Sequence, residues 1–149
     1  MRGLAFALFL LLPLAACARS APLEVTDVWA RDSIGGTATA AVYMTITSPT
    51  PDRLIGASTP IAANTDLMTM QSEGGEMAMI YIDAIDIPAN TPVSLDPSGL
   101  HVWLAALNEP LRAGQTFPLV LRFENAGERE VVVSIIAPTA APPMAEMGM

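Results

Sequence analysis

Four thioethers and one imidazole crowd the middle of this 149-residue sequence: Met68, Met70, Met77, Met79 and His101, the only histidine. Trp103 follows two residues after that imidazole. Thioethers are soft and uncharged, and among biological metals they select Cu(I); imidazole adds a borderline donor. Zinc would want Cys, His or carboxylate in a tetrahedral set, so one His among thioethers is a poor zinc site. A thioether site also suits an oxidising compartment, because it cannot be lost to disulfide formation, although sulfoxide formation remains a hazard.

These residues must be carried on strands. Pro and Gly punctuate short apolar stretches, and the candidate strands are 23–30, 39–47, 53–58, 65–71, 77–83, 100–107, 117–124 and 130–137. Val42, Met44 and Ile46 alternate with Tyr43, Thr45 and Thr47, and Val131, Val133 and Ile135 make another face. Turn signals at Gly35-Gly36, Pro49 to Asp52, Gly74-Gly75, Asp96 to Gly99 and Ala126-Gly127 separate them. Several strands about ten residues apart predict an all-β Greek-key β-sandwich of immunoglobulin-like or cupredoxin-like type.

Phasing places the soft donors. Met68 and Met70 share one face of their strand, opposite Leu67. Met77 and Met79 share a face with Tyr81 and Asp83, opposite Ala78, Ile80 and Ile82. His101 and Trp103 oppose Leu100, Val102 and Leu104. A single Met more often fills a gap in a core, and a single His is more often hydrogen-bonded than metal-bound. Four Met and the only His, all off the aliphatic faces, favour a site.

The ends carry different signals. Arg2, an apolar run over residues 3–14 and Leu14-Ala15-Ala16-Cys17 have the pattern of a lipoprotein signal peptide over residues 1–16, with Cys17 as the acylated residue. That predicts a protein anchored to a bacterial membrane surface without spanning it, facing the periplasm, with residues 17–22 as a tether. Ala18 in place of Asp leans towards the outer membrane. The sandwich is expected over residues 23–138. Residues 139–149, Pro- and Ala-rich without a period, read as a disordered tail in which Met144, Met147 and Met149 are auxiliary donors.

The formal net charge of −8 argues against nucleic acid as a partner. With Cys17 acylated, no thiol is left for a disulfide framework or a thiolate site. One His and no phosphate-binding Gly loop leave no nucleophilic or acid–base constellation, so binding rather than catalysis is expected.

The spacing resembles that of the periplasmic copper chaperones called PCu(A)C, whose motif is His or Met, ten residues, Met, twenty-one residues, then His-x-Met. Here Met68 is followed after ten residues by Met79, and after twenty-one more by His101, with Trp103 where the last Met would stand. Asp27-Val28-Trp29-Ala30-Arg31, Arg53-Leu54-Ile55-Gly56-Ala57, Asp86-Ile87-Pro88-Ala89, Gly99-Leu100-His101, Pro110-Leu111 and Phe117-Pro118-Leu119 look like the family too. The resemblance implies a cupredoxin-like sandwich and Cu(I) held by Met68, Met79 and His101. It further implies delivery to a copper-acceptor protein of cytochrome c oxidase assembly.

Trp103 departs from the motif and admits three readings: a packing residue, a cation–π cap on copper, or the mark of lost or altered transfer. Met70 and Met77 are candidate substitutes for the missing thioether. Copper buffering or tolerance, and a structural or adaptor lipoprotein with a decayed metal site, are the competing functions.

Overall fold

The computed structural model describes residues 22–143; the expected signal peptide, Cys17, most of the expected tether, Met144, Met147 and Met149 lie outside them. Ten strands follow in chain order: β1 Glu24–Arg31, β2 Thr39–Thr47, β3 Asp52–Ser58, β4 Ala62–Glu73, β5 Glu76–Ile82, β6 Ile85–Ile87, β7 Val93–Leu95, β8 His101–Leu107, β9 Thr116–Phe123 and β10 Gly127–Ile136. All eight anticipated strands are present. β6 and β7, three residues each, were not anticipated, because Pro88 and Pro92 cut them too short for a two-residue period to register.

The hydrogen-bonded order is β5-β4-β8-β2-β1-β10-β9-β3-β6, with β7 pairing β2. This path curls into an open, all-β sandwich. β1 belongs to both layers, antiparallel to β2 and parallel to β10. A bulge interrupts β1 between Thr26 and Trp29, with Asp27 at φ 52°, the left-handed region that Asp tolerates better than most residues.

Between the layers lies one apolar core. Val42, Met44, Ile46, Leu67, Val102 and Leu104 enter it from one side, and Leu54, Leu119, Leu121, Phe123 and Val133 from the other. A row of register partners, Ile82, Leu67, Val102, Val42, Ala30 and Ile135, crosses six strands on the core side. Because successive side chains alternate faces, the neighbouring row must point outward. That row contains Tyr81, Met68, His101 and, on β1, Trp29.

Candidate metal centre

Two features of β4 and β5 fix the position of the soft donors. The β4–β5 hairpin closes on Gly74-Gly75, at φ 59° and 89°, which suits a two-residue turn needing positive φ at both positions. Its register then runs unbroken from Leu67↔Ile82 to Glu73↔Glu76, placing Met68 opposite Tyr81, Met70 opposite Met79 and Ser72 opposite Met77. On its other side β4 pairs β8, with Met68 opposite His101. Met68 therefore has a strand on each flank and is only 4% exposed, although it faces away from the core.

His101 is 3% exposed. Its Nδ1 lies 3.0 Å from the carbonyl oxygen of Gly99. A carbonyl can only accept, so Nδ1 carries the proton, and in the neutral ring the lone pair is on Nε2. Nε2 is buried and has no hydrogen-bond partner among the described residues. A buried polar atom left in this way costs about 1–3 kcal/mol. A metal ion would satisfy it, and the partner on the other ring nitrogen is what orients a ligating histidine.

The Gly99 carbonyl is itself well fixed. It also accepts the amide of Met70 at 3.2 Å, so one oxygen positions both β4 and the imidazole. The preceding turn is tied by Gly99 N to Asp96 O at 3.1 Å, and by Ser98 N and Oγ donating to the Asp96 carboxylate.

Aromatic rings flank the imidazole. Tyr43 and Trp103 each have ring centroids 6.2 Å from it, Trp103 edge-on at 70°. Trp29 continues the row at 4.6 Å from Tyr43, and the Arg31 guanidinium sits 5.1 Å above the Trp29 ring. Burial pushes the Tyr43 hydroxyl above the usual phenol range, with Arg31 opposing and Asp96 adding to the shift. Tyr43 is therefore a neutral wall. Arg31 also donates to the carbonyls of Pro138 and Ala140 at 2.7 and 3.2 Å, which places the first residues of the stretch expected to be a disordered tail. Pro142 and Pro143 then line a cavity of about 300 Å³ together with Trp29 and Asp96.

The model of the LpqE-like family ("Putative lipoprotein LpqE-like") matches residues 23–135. The chain belongs to the LpqE-like family. A curated relative, "Putative lipoprotein Lxx21020" of Leifsonia xyli subsp. xyli, is 27% identical over 114 residues, 76% of this chain and 69% of its own length. Among solved structures, the copper-bound PCuAC domain from PmoF2 superposes with a TM-score of 0.65 at 26% identity, over 80% of this chain and 96% of its own. The Cu(I) form of DR1885 from Deinococcus radiodurans gives 0.62 at 30% identity, over 83% of this chain and 85% of its own. This LpqE-like protein is thus PCu(A)C-like in sequence and in fold.

The LpqE-like fold brings together part of the anticipated donor set. Met68 and His101 are direct cross-strand partners. Met79 lies one step away on the diagonal, about 7 Å along the sheet, and pairs with Met70 rather than with Met68. Met77 is a further step out, roughly 14 Å from the His101 row, and 60% exposed. Trp103 lies beyond His101 on the side away from Met79, opposite Asp66. Among the described residues no group of three or more His, Cys, Asp or Glu is arranged to hold a metal. Sequence reasoning left out Tyr43, Trp29 and the Gly99 carbonyl. Tyr43 was findable, since it alternates against Val42 and Met44; a backbone carbonyl leaves no such trace.

Proposed function

We propose that this protein binds Cu(I) as cargo, with His101 Nε2, Met68 and Met79 as ligands, Met70 adjoining them, and Met77 too distant to take part. The observation that carries this reading is the buried, unpartnered Nε2 beside a buried thioether. Two thioethers and one imidazole form a soft, uncharged set that Cu(I) accepts. The copper-bound PmoF2 domain and the Cu(I) form of DR1885 support it by likeness. Trp103 takes the place of the motif's fourth ligand and walls the far side of His101 against water. The protein acts as a binding and delivery module rather than an enzyme.

The cargo is carried on the periplasmic side of a bacterial membrane, the outer membrane by the Ala18 tendency, from a lipid anchor on Cys17, and is passed to an acceptor in cytochrome c oxidase assembly. The lipoprotein names of the family and of the Leifsonia relative support the anchor. The test is an anaerobic Cu(I) titration against a competing chelator. One equivalent bound tightly, and weakened in both His101→Ala and Met79→Ala, is the expected result. Equal binding by the variants would remove the site. Additional equivalents, lost on substituting Met144, Met147 and Met149, would favour buffering over delivery.

A further inference from the structure

The segment of the chain that carries the soft donors is electrostatically unlike the rest. From Leu54 to Leu111 it holds seven carboxylates (Asp66, Glu73, Glu76, Asp83, Asp86, Asp96 and Glu109) and no Lys or Arg, so that segment accounts for −7 of the formal −8. Asp86 is paired with Arg53 at 3.1 Å. Asp66, Glu73, Glu76 and Asp83, all exposed on β4, β5 or just beyond, have no cation within ion-pair distance among the described residues. An apolar strip runs between them: Met77, Met79 and Tyr81 project from β5 at 60%, 45% and 69% exposure. Asp83 lies on the same face at one end beside Asp66, and Glu73 and Glu76, which alternate to the other face, lie at the hairpin end. Met77, Met79 and Tyr81 are three of the five exposed large hydrophobic side chains among the described residues.

β5 is also the end of the sheet, with no described strand on its outer side. Natural edge strands are blunted by Lys, Pro or a bulge, or else covered. β5 contains neither Lys nor Pro, and its pairing to β4 has no bulge. An uncovered edge with an apolar strip and a rim of one charge sign marks an interaction surface whose partner has the opposite sign.

We infer that the β5 edge, centred on Met79 and bounded by Asp66 and Asp83 at one end and by Glu73 and Glu76 at the other, docks a basic protein surface that presents a soft metal ligand. The metal half of this inference rests on the proposed Cu(I) site; the docking half does not. Met68 and His101 are buried, whereas Met79 stands open on the edge, so an incoming thiolate or thioether reaches Met79's position first. It replaces that thioether while Met68 and His101 still hold the ion. Exchange then proceeds one ligand at a time, with no change of oxidation state.

The test uses two synthetic peptides sharing a Cys-Gly-Gly-Cys centre, one flanked by Lys and the other by Glu. Each is first titrated, under reducing conditions, into metal-free, ¹⁵N-labelled protein at low salt. The Lys-flanked peptide should move amide signals of β5 and the facing part of β4, and bind at least tenfold more weakly when salt rises to about 0.2 M, where charges are screened within about 8 Å. Replacing the rim together (Asp66→Asn, Glu73→Gln, Glu76→Gln, Asp83→Asn) should abolish this binding. Glu24→Gln, Glu124→Gln, Glu128→Gln and Glu130→Gln together remove the same charge elsewhere and should leave it.

Equal binding of both peptides, an equal effect of the two charge sets, or a footprint away from β5 would overturn the inference. The metal-free protein supplies this readout, so failure of the copper reading leaves it intact. With Cu(I) loaded, the Lys-flanked peptide should take the metal on the order of tenfold faster than its Glu-flanked counterpart. The rim variant should lose that advantage while keeping its Cu(I) affinity; an unchanged advantage would again overturn the inference.

Discussion

His101 and Met68 face each other across β8 and β4 as register partners, both almost fully buried on the side of the sheet away from the core. Burial is unusual for an imidazole whose Nε2 has no hydrogen-bond partner among the described residues. The strands on both flanks of β4, and the Tyr43 and Trp103 rings beside His101, account for the burial. Met68 and His101 are thus placed by the sheet, and the Gly99 carbonyl of the preceding turn orients the imidazole, which favours fixed geometry.

Met68→Leu separates binding from folding. The swap conserves volume, so stability should change by less than about 1.5 kcal/mol. The thioether is lost, and Cu(I) affinity should fall at least about tenfold, or about 1.4 kcal/mol. Thermal unfolding of the metal-free protein and the competition titration measure the two effects.

Met79→Leu tests the exposed member of the proposed ligand set. At 45% exposure its replacement should shift stability by no more than about 0.5 kcal/mol. Cu(I) should leave faster, as read by stopped-flow transfer to a chelator. An unchanged dissociation rate would point to Met70 as the second thioether beside Met68.

Trp103→Met asks what the departure from the motif does. Restoring a thioether two residues after His101 should tighten Cu(I) binding by about tenfold or more, if geometry and softness are what the fourth position contributes. Weaker binding would mean that the indole, edge-on to the imidazole, matters more as a wall than a thioether does as a ligand.

Asp52 supplies a pH-dependent prediction remote from the metal. Burial works to raise its pKa, but the backbone N–H groups of Asn125, Arg53 and Ala126 outweigh burial and hold it below the usual carboxylate value. A folded value below the unfolded one, about 3.9, gives stability that is present above about pH 4. That contribution is lost as pH falls through the folded value. Asp52→Asn should therefore destabilise the protein at neutral pH, by about 1–3 kcal/mol. The gap in Tm between the two proteins should close in acid.

Much of this was legible because strands write their faces into the sequence. The alternation around Val42 and Val102, and the Gly74-Gly75 turn, were enough to orient Met68, Met79 and His101. Register was not legible. Nothing in the spacing of Met68 and Met79 says that the turn pairs Met79 with Met70 and leaves Met68 on the diagonal. Nor does composition reveal that β4 is flanked on both sides only near Met68, which buries one methionine and leaves Met79 open. The Gly99 carbonyl, which sets the imidazole tautomer, is backbone and carries no side-chain signal.

Because the chain has a single histidine, its two ring nitrogens can be followed alone in long-range ¹H–¹⁵N spectra. One equivalent of Cu(I), added anaerobically, should shift Nε2 strongly and leave Nδ1 protonated towards the Gly99 carbonyl. An Nε2 signal unmoved by Cu(I), or a change at Nδ1 instead, would contradict the site at its centre.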